Sequence, residues 1–172
     1  MQTRLWRLIK NEEQLNEEKL KEAAVLIREG EVVAFPTETV YGLGANGLNG
    51  NAVRKIFAAK GRPADNPLIL HIAEKREIEK LTTGLSANAQ ALMQAFWPGP
   101  LTLVVPKSSI IPDEVSAGLA TVAVRMPVHP VARKLIGLAG CPIAAPSANK
   151  SGKPSPPNAQ VVLAAREGLI VG

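Results

Sequence analysis

The run Leu68-Ile69-Leu70-His71-Ile72 is apolar apart from one imidazole, opens after Pro67, and is too short for a stable helix, so it predicts a buried strand. Similar runs recur at Val32 to Phe35, Leu101 to Val105, Thr121 to Pro127 and Pro142 to Ala145. Between them the apolar residues take helical spacing. Leu20, Ala23, Ala24 and Ile27 share one helix face that Gly30 stops, and Val53, Ile56 and Phe57 line a helix from Ala52 to Ala59. Lys75 to Leu81 reads as a further helix, as does Ser86 to Phe96, capped by Ser86 and lined by Ala89, Leu92, Met93 and Phe96. His129 to Leu138 follows with Pro130 in its first turn, and Ala159 to Ala165 is expected as a last helix before a strand opening at Leu169. At the other end, Arg4 to Ile9 is expected to form a short edge strand, and Asn11 with Gln14 reads as a capping box.

The chemistry-bearing residues lie at the ends of these runs. Lys60 and Arg62 are expected in a loop stiffened by Gly61 and Pro63, where they either hold an anionic ligand or are simply solvated. His71, between Leu70 and Ile72, is either a hydrogen-bonded packing residue or a functional imidazole. Thr37-Glu38-Thr39-Val40-Tyr41-Gly42-Leu43 sets three hydroxyls and one carboxylate just past a strand end, as a ligand-facing segment or a polar turn. Arg125 ends a strand, where a guanidinium reaches a carboxylate or phosphate, or only solvent. The segment from Pro146 to Ser155 concentrates serines, Asn149, Lys150 and Lys153, all donors suited to phosphate oxygens. Trp97, beside a Pro-Gly-Pro turn, either packs or stacks on a base.

Gly42, Gly44 and Gly47 spell G-x-G-x-x-G, yet Pro36 to Tyr41 separates them from the preceding strand and Asn49 to Asn51 delays the helix. This excludes the dinucleotide fingerprint and with it a nicotinamide-dependent enzyme. These glycines are expected in a loop that needs positive φ. With 46% hydrophobic residues, 172 residues can bury one core but hardly two. A net charge of +5 favours phosphate-bearing partners without a polybasic tail. One cysteine excludes an internal disulfide, two separated histidines give no zinc spacing, and no apolar stretch reaches membrane length, so a cytoplasmic location is expected.

Together, Phe35-Pro36-Thr37-Glu38-Thr39-Val40-Tyr41-Gly42-Leu43, Lys60-Gly61-Arg62-Pro63 with Asn66-Pro67-Leu68, Phe96-Trp97-Pro98-Gly99-Pro100-Leu101-Thr102, Val124-Arg125-Met126-Pro127 and Ala145-Pro146-Ser147-Ala148-Asn149 resemble the threonylcarbamoyl-AMP synthase family, the YrdC-like domain. The resemblance runs from about Val33 to Ser155. It implies an α/β fold, a single domain over residues 1–172 with a twisted mixed sheet flanked by helices and a concave basic cleft. It implies a nucleotidyltransferase that condenses L-threonine, bicarbonate and ATP into threonylcarbamoyl-AMP and pyrophosphate, the adenylate then serving a downstream tRNA-modifying threonylcarbamoyl transferase. The threonine-binding positions it implies are Thr39, His71, Arg125 and Ala145, and the ATP-binding ones Arg62, Asn66, Thr121, Ser147, Asn149 and Ser155. Lys60 and Arg62 are the candidates to act on the reacting phosphates, with Mg2+ carried in by ATP and no protein metal ligands.

Two features depart from the family. Ser155-Pro156-Pro157 replaces Ser-Pro-Thr, and the sequence stops at Gly172, before a Gly-Gly segment, a Ser-Thr-Val strand and a nucleotide-holding arginine, so a truncated domain is expected. The competing expectation is a non-catalytic RNA-binding module that uses the same basic cleft; as an enzyme, the protein is expected to touch RNA only weakly.

Overall fold

The computed structural model describes residues 3–61 and 63–146. Arg62, Ser147, Asn149 and Ser155, and the helix and strand expected after Ala159, lie outside the described residues. Helix α1 (Glu13–Arg28) precedes β1 (Val33–Phe35) and β2 (Gly42–Asn46), and α2 (Gly50–Lys60) leads to β3 (Ile69–His71). A 3-10 turn at Lys75–Glu77 runs into α3 (Ile78–Leu81), followed by α4 (Ala87–Phe96), β4 (Thr102–Pro106), α5 (Asp113–Ser116), β5 (Thr121–Arg125), α6 (Pro130–Ala139) and β6 (Ile143–Ala144). The strands form one mixed sheet in the order β1-β2-β6-β3-β5-β4. Among the described residues only β3 and β5 are parallel, and the other four neighbouring pairs are antiparallel.

Strand alternation sorts the apolar residues to the two faces. On one face Leu43, Leu70, Val124 and Ala144 pack with Val53, Ile56 and Phe57 of α2, Met93 of α4 and Val115 of α5. On the other, Val33, Phe35 and Ile143 pack under Ala24 and Ile27 of α1 and Leu135 and Ile136 of α6. The second layer covers only part of its face. Beyond it, β4 and β5 present Val104, 68% exposed, with Thr121 also exposed and Thr102 and Ala123 half-buried. Register pairs Thr102 with Arg125, Val104 with Ala123 and Pro106 with Thr121, so Thr121, Ala123 and Arg125 line one open strip of sheet.

Several expectations need correction. Arg4 to Ile9 forms no strand, because α1 rather than a sheet edge ties it down. Asn16 accepts from the Ile9 amide at 2.8 Å and donates to its carbonyl at 2.7 Å, and Trp6 Nε1 donates to Glu22 at 2.9 Å. The capping box is absent there too, since α1 starts after Glu12 with no side-chain cap and Asn11 has a φ of 68°. Lys60 is the last residue of α2 rather than part of the loop; Asn49 caps the other end of that helix, accepting from the amides of Asn51 and Ala52. In α4 only Met93 is buried, while Leu92 and Phe96 face solvent.

Gly42 and Gly44 sit inside β2, with no positive φ, instead of in a loop. What β2 needs is space. A Cβ on Gly44 would lie 2.5 Å from Ile143 Cγ2 and 2.6 Å from Phe35 Cε1, so glycine lets the β1 and β6 side chains close over it. Among the described residues no helix is long and apolar enough to cross a membrane.

Candidate active site

His71 ends β3 and Arg125 ends β5, and parallel pairing sets them side by side. Alternation turns both away from the Leu70 and Val124 layer, toward the face where α1 and α6 stop short. His71 is 4% exposed. Its ring meets Phe35 edge-on with centroids 6.1 Å apart, and its Nδ1 lies 3.3 Å from the Ile143 carbonyl. A carbonyl only accepts, so Nδ1 carries the proton and Nε2 is left as an acceptor. Burial, reinforced by the Arg125 charge, pushes the imidazole pKa down to about 4, so His71 is neutral at pH 7.

Arg125 is 8% exposed and held from three directions. Its Nε donates to the Gly99 carbonyl at 3.3 Å and its Nη1 to Thr39 Oγ1 at 3.5 Å, while Nη2 forms an ion pair with Glu38 Oε1. The second Glu38 oxygen accepts from the amides of Val128 at 3.2 Å and His129 at 3.4 Å. Burial alone would raise the Glu38 pKa, but the Arg125 hydrogen bond and charge and the backbone amides outweigh it and hold the carboxyl below its usual range. Thr39 is fixed in turn by Thr37, whose Oγ1 lies 3.0 Å from Thr39 Oγ1 and donates to the Val40 carbonyl at 2.6 Å.

The β6 end closes the cluster. The Ala145 amide donates to the Ile69 carbonyl at 3.0 Å, and the Leu43 amide to the Pro146 carbonyl at 3.0 Å, so the backbone entering the serine-rich segment is pinned beside His71. With its acceptor-bearing imidazole, its fixed guanidinium and a hydroxyl between strand ends, the arrangement suits a small ligand carrying a carboxylate and a hydroxyl.

Comparison with known proteins fits this geometry. The Sua5–yciO–yrdC family model, described by the words "telomere recombination", matches residues 25–170. The chain belongs to this family. It is 59% identical over 155 residues to a threonylcarbamoyl-AMP synthase of Pyrococcus abyssi, covering 90% of this chain and 46% of that protein. It is 54% identical over 174 residues to one of Bacillus subtilis, covering 100% of this chain and 50% of that one. The chain thus spans about half the length of these curated relatives. The crystal structure of P. abyssi Sua5 complexed with L-threonine superposes with a TM-score of 0.88 at 58% identity, over 90% of this chain and 46% of that one.

Against the positions that the family resemblance implies, the fold brings Thr39, His71, Arg125 and Ala145 into one cluster. Thr121 lies on the same strip of β5 but four residues from Arg125, at the far end of the strand, and is exposed. Asn66 is exposed in the turn before β3, and Lys60 is 4% exposed at the end of α2, whose cap Gly61 takes a φ of 60°. Trp97 is a packing residue, 3% exposed, with Nε1 donating to the Leu101 carbonyl at 2.8 Å. Two members of the cluster were not foreseen: Glu38, noted in the sequence only as part of a polar segment, and the Gly99 carbonyl.

Gly99 also lends itself to a test. A Cβ there would lie 2.5 Å from the Phe96 carbonyl oxygen, a backbone atom that cannot swing aside. Gly99→Ala is expected to cost about 2 kcal/mol in urea unfolding, typical of an overpacked site. Gly84→Ala, with nothing within 4 Å of its Cβ, should cost far less. Equal unfolding midpoints for the two variants would show that the turn yields.

Proposed function

We infer that the chain is an L-threonylcarbamoyladenylate synthase domain, which condenses L-threonine, bicarbonate and ATP to threonylcarbamoyl-AMP and pyrophosphate. The observation that carries this reading is the pairing of Arg125 with a neutral, acceptor-bearing His71 at the edge of an open sheet strip that runs on to Thr121. The membership of a family whose relatives bear that name supports it.

The amino acid's carboxylate would take the guanidinium, and its hydroxyl would donate to His71 Nε2. The nucleotide would lie along the β5 strip toward Thr121, with Lys60 and Arg62 as the cations for its phosphates. No side chain is needed as a nucleophile. Threonine's nitrogen bonds to the bicarbonate carbon as a C–O bond breaks and water leaves, and an oxygen of the resulting N-carboxylate attacks the α-phosphorus; that P–O bond forms as the bond to pyrophosphate breaks. The protein's part is to align the two and to stabilise the charge that develops. Glu38 is already engaged by Arg125 and two amides, which suits a magnesium ion held by the triphosphate's own oxygens and neutralising their charge. The product would pass to a tRNA-modifying transferase.

The test is pyrophosphate release from ATP by this chain, with threonine and bicarbonate added singly and together. Release is expected only with both present. Release that ignores threonine would overturn the reading. So would the absence of release combined with tight RNA binding that falls steeply with salt, the behaviour of an RNA-binding module.

A further inference from the structure

We propose that Glu38 is the positioning residue of this site: its carboxylate holds the Arg125 guanidinium at the angle from which it takes a substrate carboxylate, and so sets selectivity for α-amino acids. The proposal rests on the reading of Arg125 as the carboxylate-binding group. It adds a residue whose contribution is made through that arginine.

The geometry gives Glu38 a reach that no other contact of Arg125 has. One carboxylate oxygen meets Nη2; the other accepts from the amides of Val128 and His129, just beyond β5. His129 is itself fixed, since its Nδ1 accepts from the Val131 amide at 3.2 Å and caps α6. Glu38 therefore joins the β1–β2 connection to the β5–α6 connection, with the guanidinium between them. Among the described residues the other bonds on Arg125 are long, 3.3 Å to Gly99 and 3.5 Å to Thr39, and neither partner is charged. Without the carboxylate, a flexible three-methylene stem would be steered by two weak contacts.

The donor count points the same way. A guanidinium has five N–H groups. Among the described residues, Gly99 takes the one on Nε, Thr39 one on Nη1 and Glu38 one on Nη2. Beyond these bonds each terminal nitrogen has a second N–H, and a carboxylate in a bidentate pair needs one from each. Such a pair tolerates little rotation, so holding the plane of the fork matters as much as having the charge.

The experiment compares L-threonine with L-threoninol, which lacks the carboxylate, by calorimetric titration into the unsubstituted chain and Glu38→Gln. In parallel, 15N spectra of the arginine side chains, with the Arg125 signals assigned through Arg125→Lys, report rotation of its terminal nitrogens. The unsubstituted chain is expected to prefer threonine strongly and to show slow rotation. Glu38→Gln should reduce that preference about tenfold, with threoninol affinity unmoved and rotation faster. An unchanged preference, or equal weakening of both ligands, would overturn the proposal. If the unsubstituted chain does not prefer threonine, the carboxylate-binding reading of Arg125 fails; unchanged rotation in Glu38→Gln then overturns the positioning role as well, and faster rotation retains it. Should Glu38→Gln not fold, Glu38→Asp replaces it: the shorter arm keeps the charge but reaches either the guanidinium or the amides, and the same shifts in preference and rotation are expected.

Discussion

Arg125→Ala should weaken threonine, serine and valine binding together, each by about 10²-fold, the scale of a lost charge-assisted bidentate bond. Every amino acid carries the carboxylate that this residue meets, so its removal cannot discriminate among side chains. Discrimination falls to His71. Its Nδ1 proton is committed to the Ile143 carbonyl, its ring is buried against Phe35, and its pKa of about 4 keeps it uncharged, so Nε2 is a fixed acceptor for one hydroxyl proton. Valine matches threonine in shape but would leave that acceptor buried and unpaired, and its affinity should fall about 10²-fold below that of threonine. Serine keeps the hydroxyl and loses a methyl, a smaller loss. His71→Ala should narrow the gap between threonine and valine while Arg125→Ala preserves it. Calorimetric titration of the three amino acids into the three proteins checks this. Equal affinity for threonine and valine in the unsubstituted chain, or a loss confined to threonine in Arg125→Ala, would remove the assignment.

How much of this was legible follows from the range of each interaction. The strands at Phe35, Leu70, Leu103 and Val124 announce themselves because a run of buried apolar residues next to a proline has few alternatives. His71 and Arg125 stand out because a polar residue at the end of such a run must be satisfied by something. Glu38 did not stand out. Its partner is 87 residues away, and a carboxylate between two threonines reads as an ordinary solvated turn until β1 and β5 are folded into one sheet. The same distance effect misled the reading of Gly42 and Gly44. Locally they look like turn residues, and only the approach of Phe35 from one neighbour and Ile143 from the other explains why a strand should lack side chains there. The segment from Arg4 to Ile9 is apolar enough to read as a short edge strand, yet it bonds to Asn16, Lys19 and Glu22 of α1, a helix whose outward polar face carried no sequence sign of this role. In α4, Leu92 and Phe96 keep helical spacing with Met93 but lie on the open side of a helix that buries only one of them.

Acid should destabilise the protein through this same cluster, beginning near neutrality. The His71 pKa is about 4 in the fold against 6.5 for a free imidazole, so between those values the unfolded chain binds a proton that the folded one refuses. Stability rises with pH wherever the unfolded state holds more protons. The His71 contribution is therefore fully present above pH 6.5 and is lost as pH falls toward 4, to a total of about 3 kcal/mol. Glu38 acts in the next window down. Its folded pKa lies below the usual 4.5, so its contribution is intact above that value and disappears as pH falls further. Arg125 links the two windows, because one guanidinium both opposes an imidazolium and favours a carboxylate beside it. His71→Gln should start less stable at pH 7, having lost the ring that packs on Phe35, yet lose less between pH 7 and 4.5. Urea midpoints of the two proteins at pH 7, 5.5 and 4.5 separate these effects, since other carboxylates titrate equally in both. Parallel curves across that range would mean that His71 does not carry the acid sensitivity and that its ring is protonated in the folded protein as readily as in the unfolded chain.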